Sequence, residues 1–161
     1  MIDILFDFAI KLLAWIAPFT LRKAYPSQRI ADLIKVRISA RGDGIELWAG
    51  ELPRVSAQIT ITNLSPFHLE LDRAFGTFFY GSELEKFSYL QKEKIPPASE
   101  VSILVEATLT KEHVAVIQKQ RQYNPRIGIR FNAHILCDVH NFDLCQTLET
   151  SHHRLVNFGT P

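Results

Sequence analysis

The stretch RVSAQITITNL, residues 54–64, carries the clearest structural signal in the chain. Val55, Ala57, Ile59 and Ile61 alternate with Ser56, Gln58, Thr60 and Thr62, a period of two that a strand buries on one face and leaves wet on the other. Just C-terminal to it, FHLELD (67–72) repeats the pattern, with Phe67, Leu69 and Leu71 set against His68, Glu70 and Asp72. In EVSILVEATLT (100–110), Val101, Ile103, Val105, Ala107 and Leu109 share a face, and a further run joins Ile127, Ile129, Phe131, Ala133, Ile135 and Cys137. Shorter strands are expected at 33–40, 45–49 and 77–80.

Turn chemistry punctuates these runs. Asp43-Gly44 is a tight-hairpin dipeptide, Ser65-Pro66 breaks a strand, Gly81-Ser82 follows one, and IPPAS (95–99) makes a rigid connection. One helix interrupts the series: KEHVAVIQKQRQ (111–122), capped by Thr110, turns Val114, Ile117 and Val116 inward and ends before Asn124-Pro125. Many short strands with turns between them predict an all-β fold, an antiparallel sandwich with one short helix. For the last hairpin a two-residue turn at His140-Asn141 is expected, setting Val139 against Phe142, Cys137 against Leu144 and Ala133 against Leu148. A three-residue loop would pair Cys137 with Cys145 but set Ile135 against Thr147; the first register keeps apolar on apolar and the cysteines apart.

The chain has 161 residues, 47% hydrophobic and 22% charged, which suits one folded domain with an appendage. A net charge of +1 gives no field that would recruit nucleic acid or an acidic substrate. Cys137 and Cys145 form neither a C-x-x-C pair nor a zinc spacing, and such sparse usage points to a reducing compartment.

The appendage is MIDILFDFAIKLLAWIAPF, residues 1–19. A helix is expected from Ile2 to about Ala17, with Asp3 suited to its N-terminal dipole and Pro18 as its stop. It lacks a basic leader and a cleavage site, so it is expected to stay on the protein. Asp3, Asp7 and Lys11 fall in a stripe about 80° wide, with Asp7 and Lys11 an i,i+4 pair. The remaining surface, with Ile4, Leu5, Phe6, Phe8, Leu12, Leu13, Trp15, Ile16 and Phe19, is expected to contact a membrane or an apolar partner.

The energetics of this helix are near balance. Each strongly apolar side chain contributes about −0.3 to −0.6 kcal/mol to insertion, whereas each of the three charges costs about 2.5–3.5 kcal/mol at mid-bilayer. A lone spanning helix is therefore marginal, and the polar stripe is too narrow for an in-plane one. The stripe is expected to face other protein or a water-filled centre, which implies a homo- or hetero-oligomer. Behind it comes a basic run, Arg22, Lys23, Arg29, Lys35, Arg37 and Arg41, relieved only by Asp32. Beside a membrane, Arg22, Lys23 and Arg29 would face anionic headgroups and hold the sandwich on the cytoplasmic side; the alternative is a solvated connector.

Candidate chemistry is thin. His68, Glu70 and Asp72 share a strand face that could gather around a cation, but plain alternation yields the same solvated pattern. His134, His140, His152 and His153 could form a metal patch, although neighbours on an extended chain point opposite ways. Arg41-Gly42-Asp43 is read as a turn. The run Phe75, Phe78, Phe79 and Tyr80 is read as core, with an apolar ligand groove as the other reading. There is no G-x-S-x-G, H-E-x-x-H, Walker or dinucleotide motif, and Cys137 falls on the apolar face, so neither catalysis nor a cofactor or metal is expected.

The order of parts resembles a known family. The apolar N-terminal segment, the strand break ITNLSPFHLEL, the aromatic strand GTFFYG, the loop and strand KIPPASEVSILVEATL, the helix KEHVAVIQKQ and the strand RIGIRFNAHILCDV are similar to the water-stress-and-hypersensitive-response (WHy) domain of folded late-embryogenesis-abundant proteins. The resemblance covers about 33–148, with Leu64 and Ser65 between Asn63 and Pro66 where the family commonly has Asn and Pro adjacent. It implies an immunoglobulin or fibronectin III-like sandwich without a catalytic site, often behind a membrane anchor, with stress-protective or lipid-associated roles. The organisation expected is therefore helix 1–19, basic connector 20–32, sandwich 33–150 and tail 151–161. The function expected is a non-enzymatic membrane-associated module, open to a small-molecule or lipid ligand, or else a subunit assembled through its N-terminal helix.

Overall fold

A computed structural model describes residues 20–39 and 44–158. Two five-stranded sheets pack face to face, and the alternation read from the sequence supplies their inner faces. Helical turns at 20–24 lead into α1 (Ser27–Asp32), and the strands follow as β1 (Ile34–Ile38), β2 (Ile45–Trp48), β3 (Arg54–Asn63), β4 (Leu69–Tyr80), β5 (Ser82–Tyr89), β6 (Glu93–Ile95) and β7 (Ser99–Thr108). Then come α2 (Lys111–Gln120), β8 (Ile127–Cys137), β9 (Phe142–Thr150) and β10 (His153–Val156).

Each sheet is built on one long strand whose two edges are treated differently. In the first, β7 runs along the whole of one edge of β3, from Arg54 opposite Thr108 to Asn63 opposite Ser99. The other edge is shared end to end by β1, opposite 59–63, and β2, opposite 54–57. The second sheet repeats the scheme: β4 gives one edge to β8 and divides the other between β5 and β6, with β9 beyond β8. Side chains such as Ile59, Ile61, Leu71, Ile103, Ile129 and Ile135 meet between the sheets, each at most 1% exposed.

Several sequence expectations change here. Asp43-Gly44 does not close a hairpin, because β1 and β2 lie in line on β3 rather than beside each other. The positive φ of Gly44, +70°, serves instead where the chain meets the carbonyl of His152, leaving no room for a Cβ. The strands expected at 67–72 and 77–80 are one strand, β4, with a bulge between Leu71 and Arg73. That bulge is needed because the two stretches alternate out of phase: Leu69 and Leu71 face inward, then Ala74, Gly76, Phe78 and Tyr80. The aromatic run is thereby divided, Phe78 and Tyr80 being buried while Phe75 stands 49% exposed.

The basic connector holds α1, whose fully buried Ile30 plugs the core, so the fold has more than one helix. Residues 153–156, expected as part of a tail, form β10, which pairs parallel to β2 and makes the sandwich mixed rather than purely antiparallel. In the last hairpin Ala133 faces Leu144 and Ile135 faces Phe142, a register shifted from the expected one by four residues. An even shift keeps every residue on its face, so the error leaves the apolar pairing intact. The longer loop is held because Asn141 Oδ1 accepts the Cys137 amide at 3.2 Å and Val139 is buried. Thr110 caps α2 as expected: its hydroxyl accepts the His113 amide at 3.1 Å, and His113 Nδ1 accepts the Thr110 amide at 3.4 Å.

Candidate functional site

One end of the sandwich gathers residues 20–33, the β3–β4 turn, the β6–β7 turn and the β8–β9 loop. Its centre is Asn63, a fully buried amide at the end of β3. Asn63 Nδ2 donates to the carbonyls of Phe67 (2.8 Å), Ile95 (3.0 Å) and Pro96 (3.1 Å), and Oδ1 accepts the amide (2.9 Å) and hydroxyl (2.7 Å) of Ser65. An asparagine amide has two N–H donors and one two-sided acceptor, so the three carbonyls share two hydrogens and this position uses its full capacity. Proline at 66, 96 and 97 cannot donate, which is why a side chain closes turns that backbone bonds cannot.

Onto this node docks the N-terminal part of the described chain. The Tyr25 and Phe67 rings meet in a T-shaped contact, with centroids 5.0 Å apart, and the Arg29 guanidinium lies over the Tyr25 ring at 4.9 Å while donating to the Ala24 carbonyl at 3.0 Å. His140 Nε2 donates to the Arg22 carbonyl at 3.3 Å, and the Leu64 amide donates to the Leu33 carbonyl at 2.9 Å. These contacts leave Leu21 (40%) and Leu64 (53%) exposed at the same end as the exposed side chains of Arg22 and Lys23.

The basic run is thus divided by its surroundings. Arg29 is committed to Tyr25 and Ala24, Lys35 Nζ donates to the Asp32 carbonyl at 3.1 Å, and Arg37 pairs with Glu100 at 3.2 Å. Arg22 and Lys23 keep exposed side chains. Asp3, Ile4, Leu5, Phe6, Asp7, Phe8, Lys11, Leu12, Leu13, Trp15, Ile16 and Phe19 lie outside the described residues, as do Arg41, Gly42 and Asp43.

His68, Glu70 and Asp72 are not brought around a common point. Lys92 Nζ holds Glu70 at 3.0 Å and Asp72 at 3.2 Å, and the two carboxylates raise the lysine pKa. Exposed His68 instead lines a shallow hollow of about 410 Å³ with Lys94, Pro96, Asp138 and Asn141. Nearby, the Tyr89 hydroxyl donates to Glu93 Oε1 at 2.8 Å; burial first, then this bond and the glutamate charge, push the phenol up to about 12. An acid whose folded pKa is raised contributes stability that is full below its unfolded value near 10 and is lost as the pH climbs from there to about 12. Tyr89→Phe should therefore flatten the fall in stability between about pH 10 and 12, as read by urea midpoints across that range; an unchanged slope would refute the assignment.

The histidines are dispersed. His134 donates through Nδ1–H to Asp143 Oδ1 at 2.7 Å on the outer face of the second sheet, His153 packs edge-on against Tyr80 at 5.8 Å, and His140 serves Arg22. Among the described residues no group of three or more His, Cys, Asp or Glu is placed to hold a metal. His134, Asp143, Cys145 and Phe75 line an open hollow of about 520 Å³. A base held by a carboxylate is half of a nucleophilic arrangement. Cys145, opposite Asn132 and one row from His134, is exposed and free, and no hydrogen bond among the described residues joins its thiol to the ring. Sequence reading missed this pairing because it follows from the register of β8 on β9.

Among the described residues no helix is long and apolar enough to cross a membrane. No family model matches the chain, and no curated protein matches it by sequence. Solved structures do. Northeast Structural Genomics Consortium target SoR45 matches 73% of this chain and 85% of its own at 14% identity with a TM-score of 0.51, a likeness of fold. A protein from Archaeoglobus fulgidus (11% identity; 73% and 94% covered; TM-score 0.42) and a candidate late embryogenesis abundant protein (6%; 88% and 85%; 0.33) also match, more loosely. The chain is an all-β protein of two packed sheets, similar in fold to target SoR45.

Proposed function

We propose that this protein is a non-enzymatic β-sandwich module, of the WHy type and immunoglobulin or fibronectin III-like, held at a membrane by residues 1–19 with the sandwich on the cytoplasmic side. Its role is structural, stress-protective or lipid-associated. The observation that carries the reading is the junction. The apolar stretch 1–19 joins at the end of the sandwich that leaves Arg22 and Lys23 free to meet anionic headgroups and carries exposed Leu21 and Leu64. The two-sheet plan, with β3 and β4 each flanked by a long partner strand, supports the sandwich part of this reading.

A second reading rests on Asp3, Asp7 and Lys11, whose narrow polar stripe favours helix–helix assembly into an oligomer. Detergent-free fractionation of residues 1–161 and of a chain starting at Tyr25 separates the two. Membrane anchoring predicts that the long form sediments with membranes and the short form is released with its oligomeric state unchanged. If truncation dissolves a complex in the absence of lipid, assembly is the function of the helix, and a soluble, monomeric long form would refute both.

A further inference from the structure

We propose that the sandwich meets an anionic bilayer with one end only. Leu21 and Leu64 enter the headgroup region there, and Arg22 and Lys23 lie among the lipid phosphates; this rests on the membrane reading above. The argument is one of reach. Tyr25 is fixed against Phe67, and the chain from residue 20 to that point is helical, so it advances by only about 1.5 Å per residue. A segment 1–19 seated in or on a bilayer therefore holds the Asn63 end of the sandwich within about 10 Å of it.

The surface at that end suits the position. Two exposed leucines would exchange water for the acyl boundary, and two cations with exposed side chains would gain the attraction of a negative leaflet. The sandwich also carries its own control. Leu52 is more exposed still, at 82%, but it precedes the first residue of β3 whereas Leu64 follows the last. At about 3.3 Å per residue that ten-residue strand puts Leu52 some 30 Å away, beyond the headgroup layer.

The test measures partition of the 1–161 protein onto phosphatidylcholine vesicles with and without phosphatidylserine. Leu64→Asp is expected to weaken binding about tenfold, and Arg22→Gln with Lys23→Gln about 30-fold on the serine-lipid vesicles only. Leu52→Asp should bind within about twofold of wild type, and melting temperatures should stay equal because all these side chains are exposed. Wild-type binding that Leu64→Asp and the double glutamine variant leave intact, or that Leu52→Asp weakens as much as Leu64→Asp, overturns the orientation while leaving membrane attachment standing. Wild-type protein that binds neither vesicle overturns both.

Discussion

Asn63→Leu is expected to lower the unfolding free energy by about 3–5 kcal/mol, a fall in melting temperature of roughly 10–20 °C. Leucine keeps a branched shape at greater volume and gains apolar burial, so lost apolar contact is not where its cost lies. Here the side chain instead satisfies the carbonyls of Phe67, Ile95 and Pro96 and both donors of Ser65, in a place with no exposure to water. Removing one partner leaves the others buried and unmet, and each costs about 1–3 kcal/mol. Asn63→Asp adds a sign to the test. A carboxylate facing three carbonyls is held above its usual pKa, so its penalty is largest at neutral pH and shrinks as the pH falls through the carboxylate range. Urea denaturation at pH 7 and pH 4 reads both; a loss under about 1 kcal/mol for the leucine variant would show that the node is dispensable.

Gly76→Ala should cost about 3 kcal/mol, although it adds a single methyl group. A Cβ at Gly76 would fall well inside contact distance of the Arg130 carbonyl and 2.8 Å from the Phe87 ring. Neither neighbour yields easily. The carbonyl belongs to the β4–β8 ladder, where Gly76 faces Phe131, and Phe87 is 4% exposed with its ring 5.3 Å from Phe78. Relief would have to come from moving strands that anchor the second sheet. Gly50→Ala is the control, since nothing lies within 4 Å of its Cβ, and should stay within about 0.5 kcal/mol of wild type. Equal stability of the two variants would mean that β4 and β8 adjust freely.

How much of this was legible beforehand follows the range of each interaction. Where alternation is clean, as in β7 and β8, the sequence located the strand and its buried face; in β3 it located the inward face, but Ser56 and Thr60, expected on the wet face, are buried as well, Thr60 against Ser102 at 3.1 Å. Helix α2 was legible because its cap is three residues long in sequence. By contrast SELEKFSY, now β5, has no steady period, and its burial follows from lying at an edge of β4. The bulge in β4 was visible only as two runs out of phase, which reads equally well as two strands. At the candidate site, the basic run was legible, but the commitment of Arg29, Lys35 and Arg37 to other groups was not, nor was the meeting of His134 with Asp143.

Alternation alone therefore placed most of the inward-facing side chains, and the residues themselves show that an apolar segment carrying Asp3, Asp7 and Lys11 precedes a β domain. Those properties repeat every two or four residues and need no knowledge of a partner. Contacts between distant parts of the chain were needed to set β1 and β2 along one edge of β3, β10 parallel to β2, and the last hairpin offset by four residues. Apolar alternation is satisfied by any even shift of register, so the choice falls to distant contacts: Asn141 on Cys137, His140 on Arg22, and Asn63 on Ile95 and Pro96.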